Sequence, residues 1–422
     1  MSETCDIAIV GFGAAGIAAG IFAGQKARET GGPAHIVALD GAKTIGAKIR
    51  VSGGTRCNVT HERISAQDYN GSKNIVRNVL AAFDAQAAMR WFEEMGVKLK
   101  REETGKLFPV SDSARSVLGA LMRRCEELGV EIWTGCRVHE LMTDQAGGFV
   151  IGHERGRLDA ERVILATGGR SLPRSGSDGF GYELARRLGH SVTATYPALV
   201  PLVLDSAFFH AELSGVSHEV ELATVCAGKA VDRRRGSLLW THFGISGPVV
   251  MDASRHWVIG RASGGGVEMR CGLLPGETVE SLEVELVRLA AGSGQSVGRW
   301  LAGRLPERVV AAVLKHLGID SGTPLPQLPR DRRRGLVHAL TGLALPVVGD
   351  RGWNYAEVTA GGVPLAEIDY RTMESRKVPG LHLVGEILDC DGRIGGFNFQ
   401  WAWATGCLAG GAAGNCRAGR AL

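Results

Sequence analysis

Apolar positions run through the chain in two textures. At residues 6–10 a short apolar run ends in a glycine cluster. Residues 14–27 then have helix-forming composition as far as Gly31-Gly32-Pro33, and 35–39 is a second apolar run ending in Asp40. Strand, helix, strand is the opening βαβ of a doubly wound sheet. Over 84–96 the residues Ala88, Trp91, Phe92 and Met95 recur three or four apart, which marks one helix face. The same spacing over 116–128 precedes strand character at 130–133. Residues 162–166 predict a further buried strand, and 181–188 a helix stopped by Gly189.

The texture changes near residue 193. Short apolar runs at 199–204, 218–226 and 238–241, separated by Gly, Ser and Arg, predict a β-rich insert. Helical patterns follow at 281–289, 308–317 and 334–340, with Gly/Pro-rich 321–329 between two of them. Strand character returns at 381–384, and a glycine-rich turn at 392–396 leads into a helix over 397–408. The expected class is α/β. A Rossmann-like domain of 1–193 and 352–422 carries an inserted β-rich domain, 194–274, and a helical subdomain, 275–351.

Composition narrows this. The 422 residues include 60 glycines, an excess over the usual share of about 7 %, yet 14 prolines and an apolar fraction of 45 % exclude collagen and disorder. Lys+Arg of 48 against Asp+Glu of 44 leaves a net charge of +4, too balanced to predict nucleic acid or an anionic membrane as the main partner. The basic runs Arg233-Arg234-Arg235 and Arg330-Asp331-Arg332-Arg333-Arg334 read as solvated loop or helix faces. Nine scattered cysteines without a C-x-x-C fit reduced thiols in a cytoplasmic protein and indicate no metal site. Residues 7–24 are apolar enough to suggest a membrane span, but Glu3 and Asp6 precede them and no basic residue does, so no membrane association is expected.

Three glycine sites carry the candidate chemistry. Gly11-Phe12-Gly13-Ala14-Ala15-Gly16 matches G-x-G-x-x-G between a predicted strand and a helix, where the glycines allow a tight turn, close approach to a pyrophosphate and close helix packing. Asp40, ending the next strand, is placed to bind a ribose 2′-OH and disfavours a 2′-phosphate. Ala166-Thr167-Gly168-Gly169 follows a further strand. Near the C-terminus Gly385-Glu386 ends another strand, with an acid for a ribityl hydroxyl. The run from Gly392 through Gly395, Gly396, Phe397, Asn398 and Gln400 then offers a helix N-terminus to the N1/O2 edge of a reduced isoalloxazine. Three separated sites suit an extended FAD better than a nicotinamide nucleotide. The segment from Gly46 to Asn58 adds backbone N–H groups and cations. Within it Cys57 reads as a packed thiol, since the partner position of a C-x-x-x-x-C disulfide is Glu62.

Five segments, from the Gly11 fingerprint through 46–61, 166–181 and Leu239 to Pro248 to the stretch 359–406, resemble the FAD flavoprotein family of aminoacetone oxidase and the BaiN/RdsA-type (YhiN-like) NAD(P)/FAD-dependent oxidoreductases. The resemblance implies an FAD domain with an inserted β domain and a helical domain. It implies Gly11, Gly13, Gly16 and Asp40 on the ADP half. Lys48, Ser52, Gly53, Gly54, Arg56, Cys57 and Asn58 would line the flavin, with Thr167, Gly168, Gly385, Glu386, Gly396, Asn398 and Gln400. Val138 would offer its backbone to adenine. The family's pattern is Gly-Arg-Lys where this chain has Gly46-Ala47-Lys48, a glycine triplet where it has Gly53-Gly54-Thr55, and Thr-Asn where it has Thr60-His61.

The resulting expectation is an FAD-dependent oxidoreductase that reduces an unsaturated or carbonyl small molecule, with NAD(P)H as a transient donor held without a second fingerprint. A flavin-dependent oxidase of a small amine and a flavin-bound regulatory protein touching RNA through the arginine runs are the alternatives. His242 and His61 are the candidate proton carriers near neutral pH.

Overall fold

The computed structural model describes residues 3–292 and 294–415, so Cys416 lies outside it. The chain forms two compact units, Met1–Thr195 with Val358–Leu422, and Tyr196–Glu357.

The first unit is built on a nine-stranded sheet whose centre is five parallel strands in the order Leu381–Leu383, Gly156–Leu165, Glu3–Val10, Ile36–Asp40 and Glu131–Thr134. Parallel strands covered on both faces read as continuous apolar runs. Ile7, Ile9, Ile36, Val163 and Leu381 accordingly have no exposed surface. An antiparallel hairpin, Val138–Thr143 with Phe149–His153, which has no clear signal in the sequence, pairs onto Gly156–Leu165.

Helix Ala14–Thr30 packs on the closing helix Phe397–Ala413, which continues past the predicted end at 408. The reason is a stripe of glycines. A Cβ at Gly406 would lie 2.7 Å from the Ala15 carbonyl oxygen, and Cβ atoms at Gly410 and Gly414 would collide with those of Ala19 and Ala23. Glycine here is what lets two helices touch backbone to backbone, so residues that look like helix breakers are required by packing.

In the second unit a seven-stranded antiparallel sheet shares one apolar core with helices Val279–Gly292, Glu307–Leu317 and Arg330–Gly342. The β-rich and helical segments, divided at 274/275 by pattern, are thus one compact unit, because Leu222, Met269 and Leu282 are buried in the same cluster as Leu336. Helix Pro248–Ala262 was hidden in the pattern because it buries residues around most of its girth. Arg233-Arg234-Arg235 is neither loop nor helix. It lies in strand Lys229–Thr241, where Arg233 pairs with Glu221 at 2.5 Å and Arg235 with Glu219 at 3.2 Å across the ladder. Cross-strand charge pairing stabilises a strand of that composition. The second basic run does begin a helix, Arg330–Gly342. Among the described residues no helix is long and apolar enough to cross a membrane, and no group of three or more His, Cys, Asp or Glu could hold a metal ion.

Candidate cofactor site

The C-terminal ends of the parallel strands gather the fingerprint, as an open α/β sheet does with its ligand loops. Gly11 turns with φ +90°, and its N–H donates to the Leu39 carbonyl at 2.8 Å. A Cβ there would sit 2.7 Å from the Ala166 carbonyl oxygen, and one on Gly16 would run into the carbonyl of Gly11. Gly13 differs: a Cβ on it would meet nothing within 4 Å. Packing within the chain explains two of the three glycines, and the third leaves open the space that close approach of a ligand would need.

Asp40 accepts the Phe12 N–H on one carboxylate oxygen and the Ala42 N–H on the other, each at 2.7 Å. That ties the glycine turn to the second strand and leaves acceptor capacity for a ribose hydroxyl. Gly135 and Cys136 donate to the Ala42 and Asp40 carbonyls, which brings the start of the hairpin at Val138 beside this turn.

Lys48 and Glu386, 338 residues apart, form an ion pair at 2.8 Å, with 26 % and 18 % of their side chains exposed. Ser171 donates to one Glu386 oxygen and accepts from Lys48, both at 2.8 Å, and the Thr359 N–H donates to the same oxygen at 3.0 Å. A Cβ on Gly169 would press to 2.7 Å from that carboxylate. Ser171 and Thr359 thus complete a network whose charged ends were expected and whose polar members were not. Small hydroxyl residues without a motif give no signal that they will meet across the fold.

Between Lys48 and Asn58 the backbone is strained. Gly53, Gly54, Thr55 and Cys57 have φ of +54°, +67°, +72° and +65°. Left-handed backbone is uncommon for side-chain residues and unusual for a β-branched one. Cys57 is fully buried, and burial pushes its thiol up to about 12, so it is a packed thiol. Arg56 stacks over Phe108 at 4.0 Å and pairs with Glu102 at 2.5 Å, which commits its guanidinium to the protein. Ser52 donates to the Ile49 carbonyl at 2.9 Å.

At the other end of the site Gly396 precedes helix Phe397–Ala413 with no side-chain cap and no acid in the first turn. Its first N–H groups are therefore open to an anion. A Cβ on Gly395 would lie 3.5 Å from Cε of Lys106, a cation that pairs with no carboxylate among the described residues and that the sequence did not single out. Three side chains here are structural. Gln400, fully buried, accepts from Thr60 and donates to the Phe83 carbonyl, both at 2.7 Å. Asn398 closes the turn onto Gly392 through both ends of its amide. Phe397 stacks on His61 with ring centres 4.9 Å apart and accepts from the Tyr69 hydroxyl. Gly385, with φ +73°, seats against Ala15 and donates to Thr405 at 3.0 Å.

Both ring nitrogens of His61 lie 2.9 Å from backbone carbonyls, of Arg63 and Thr104. His242 is exposed in the second unit, at the turn after strand Lys229–Thr241, with its ring edge-on to Phe243. The histidines therefore belong to different units.

The residues present fit FAD. Gly13 leaves room for a diphosphate, the open helix start and Lys106 favour an electron-rich ring edge, and two polar atoms of expected site residues, Thr167 Oγ1 and Asn58 Oδ1, are buried with no hydrogen-bond partner among the described residues. An orphaned buried acceptor is costly unless a ligand or water satisfies it.

Residues 5–412 match the family described as HI0933-like protein Rossmann domain. The chain is 36 % identical over 414 residues to the 3-dehydro-bile acid delta(4,6)-reductase of Clostridium scindens, covering 96 % of this chain and 98 % of that one. It is 33 % identical over 404 residues to the ribosomal RNA dihydrouridine synthase of Escherichia coli K12, with 96 % of each covered. Among solved structures it is similar to the 3-ketosteroid-delta4-(5alpha)-dehydrogenase of Rhodococcus jostii RHA1, at 16 % identity and a TM-score of 0.47 over 98 % of this chain and 97 % of that one.

Proposed function

The chain belongs to the HI0933-like Rossmann family and is an FAD-dependent oxidoreductase, and on that premise we propose that it reduces a carbon–carbon double bond conjugated to a carbonyl, with NAD(P)H as donor. The carrying observation is the open start of helix Phe397–Ala413 beside Lys106, an arrangement that favours negative charge and so a reduced flavin edge. The two relatives' names support the substrate class. A 3-dehydro-delta(4,6) bile acid and the uracil ring from which dihydrouridine is made both place the reducible C=C next to a C=O.

When bound, FAD would supply the hydride chemistry that links the donor to the substrate. Overall one C=C, NAD(P)H and a proton become a saturated carbonyl compound and NAD(P)+. The chain's own residues have the remaining tasks. Asp40 and the Gly11–Gly16 turn would bind the ADP half, Lys48 and Glu386 would orient the ribityl end, and Lys106 with the helix start would hold the flavin's electron-rich edge. Val138 offers backbone to adenine. Of the two candidate proton carriers, His61 lies in the unit that holds the glycine sites, with both ring nitrogens against backbone carbonyls, and would serve there to position or relay a proton.

Anaerobic mixing tests the reading. NADPH or NADH should bleach the bound flavin, and a 3-oxo-4-ene steroid or a uridine-containing RNA should restore its colour. Bleaching by a small amine, with none from either nucleotide, would replace the reductase with an oxidase.

A further inference from the structure

The second unit carries a partly exposed cation and ring cluster that the reaction above does not use. The Arg351 guanidinium lies 4.3 Å from the centre of the Phe243 ring and 3.9 Å from that of Tyr355. No carboxylate pairs with it among the described residues, where most arginines of this unit's sheet have one. Tyr355 is 51 % exposed, and Asn354 beside it is exposed as well.

The cluster is held by backbone rather than by its own rings. Strand Val347–Asp350 pairs with Leu202–Leu204, and the Arg351 N–H donates to the Pro201 carbonyl at 3.0 Å. The Gly352 N–H donates to Asp350 at 2.7 Å, and the N–H groups of Tyr355 and Ala356 return to the Gly352 carbonyl. On the other side the Phe243 carbonyl accepts from Leu204 at 3.1 Å. Gly244, with φ +151°, presses against the same strand, 2.7 Å from the Leu204 nitrogen if it carried a Cβ. Both faces of the cluster therefore hang from one strand, so little conformational freedom is lost when a ligand adds to it.

We infer that Phe243, Arg351 and Tyr355 form a nucleotide site, in which a heteroaromatic base stacks on Tyr355 and a phosphate meets the outward N–H edge of Arg351. Bases stack on aromatic rings and guanidinium planes, and an arginine without a carboxylate matches phosphate oxygens with its fork of donors. Asn354 adds an amide for a base edge. Two sources supply this chemistry: a free nicotinamide dinucleotide, for which the chain has no second glycine fingerprint, and a nucleotide of a single-stranded RNA. The dinucleotide source rests on the reductase reading, and binding measured without turnover separates the two.

The experiment titrates oxidised, FAD-loaded protein with NADP+, NAD+ and a short single-stranded uridine-rich RNA, for the native chain, Arg351→Gln, Tyr355→Ala and Tyr355→Phe. At least one probe should bind the native chain, Arg351→Gln and Tyr355→Ala should each weaken it about tenfold, and Tyr355→Phe should restore it. Arg351→Gln should also flatten the salt dependence. A tenfold loss confined to NADP+ or NAD+ identifies the donor, and one confined to RNA identifies a polynucleotide. Affinities within twofold of native in both variants overturn the site, as does failure of all three probes to bind the native chain. FAD content and bleaching at saturating donor report separately on the cofactor reading.

Discussion

Two glycine-rich loops of the candidate cofactor site solve the backbone problem differently. In the Gly11–Gly16 turn the one left-handed position, Gly11, is a glycine, and two of the three glycines are dictated by atoms of the chain itself. In the Gly53–Cys57 loop half of the left-handed positions carry side chains, Thr55 and Cys57. The first loop is a packing joint with one opening for a ligand. The second stores strain, held because Cys57 is buried, its N–H returns to the Ser52 carbonyl, and Ala114 donates to the Thr55 carbonyl. Fingerprint glycines therefore have separable duties, and strain near a ligand is tolerated where the surroundings fix both ends.

The largest expected effect sets Gly16→Ala against Gly13→Ala. The Gly16 Cβ has nowhere to go, so unfolding in urea should show a loss of about 3 kcal/mol for Gly16→Ala. Gly13→Ala should leave the stability of the apoprotein unchanged and weaken FAD at least tenfold, since its Cβ meets only what the ligand would occupy. Equal stability losses in the two would erase the distinction between joint and opening.

Next comes Lys48→Met, at the mouth of the strained loop. It leaves the half-buried Glu386 without a cation and should cost about 2 kcal/mol of stability, with Glu386→Gln in the same chain recovering about half, both read from denaturant curves. Strict additivity would mean that the pair does not interact.

Thr55→Gly removes a side chain from a left-handed position, worth about 1–2 kcal/mol, and returns about 0.5–1 kcal/mol of backbone freedom to the unfolded chain. A net gain of about 0.5–1 kcal/mol is expected by thermal unfolding, and a loss would show that the threonine makes an interaction worth more than its strain. The smallest expected effect is none. Cys57→Ser should not change the number of thiols labelled by maleimide at pH 7.5, since burial holds that thiol near 12.

Much of the cofactor half was legible in the sequence. The βαβ opening, the turn at Gly11, the position of Asp40 and the return of the first unit at the C-terminus all follow from local pattern, because they depend on residues close together. Glu386 and Lys48 were legible one at a time. Their partnership with Ser171 and Thr359 was not, since it is made by segments hundreds of residues apart and no periodicity records it. Lys106 was silent for the same reason. Gln400 and Asn398 sit where a ligand contact was expected but spend their amides on the chain, a choice that a motif cannot reveal. The glycines at 406, 410 and 414 read as spare, and their necessity appears only when Ala15, Ala19 and Ala23 are seen opposite them.

That glycine stripe also sets an order of assembly. The second unit is one continuous stretch, Tyr196–Glu357, and its partners are all synthesised before residue 358. The first unit cannot complete its sheet until Leu381–Leu383 emerges, nor cover its first helix until the chain has passed Gly414. On the ribosome the N-terminal βαβ waits with Ala15, Ala19 and Ala23 uncovered while the inserted unit folds ahead of it. The helix that carries Gly406, Gly410 and Gly414 is thus made after the whole inserted unit, and it covers the helix made before it.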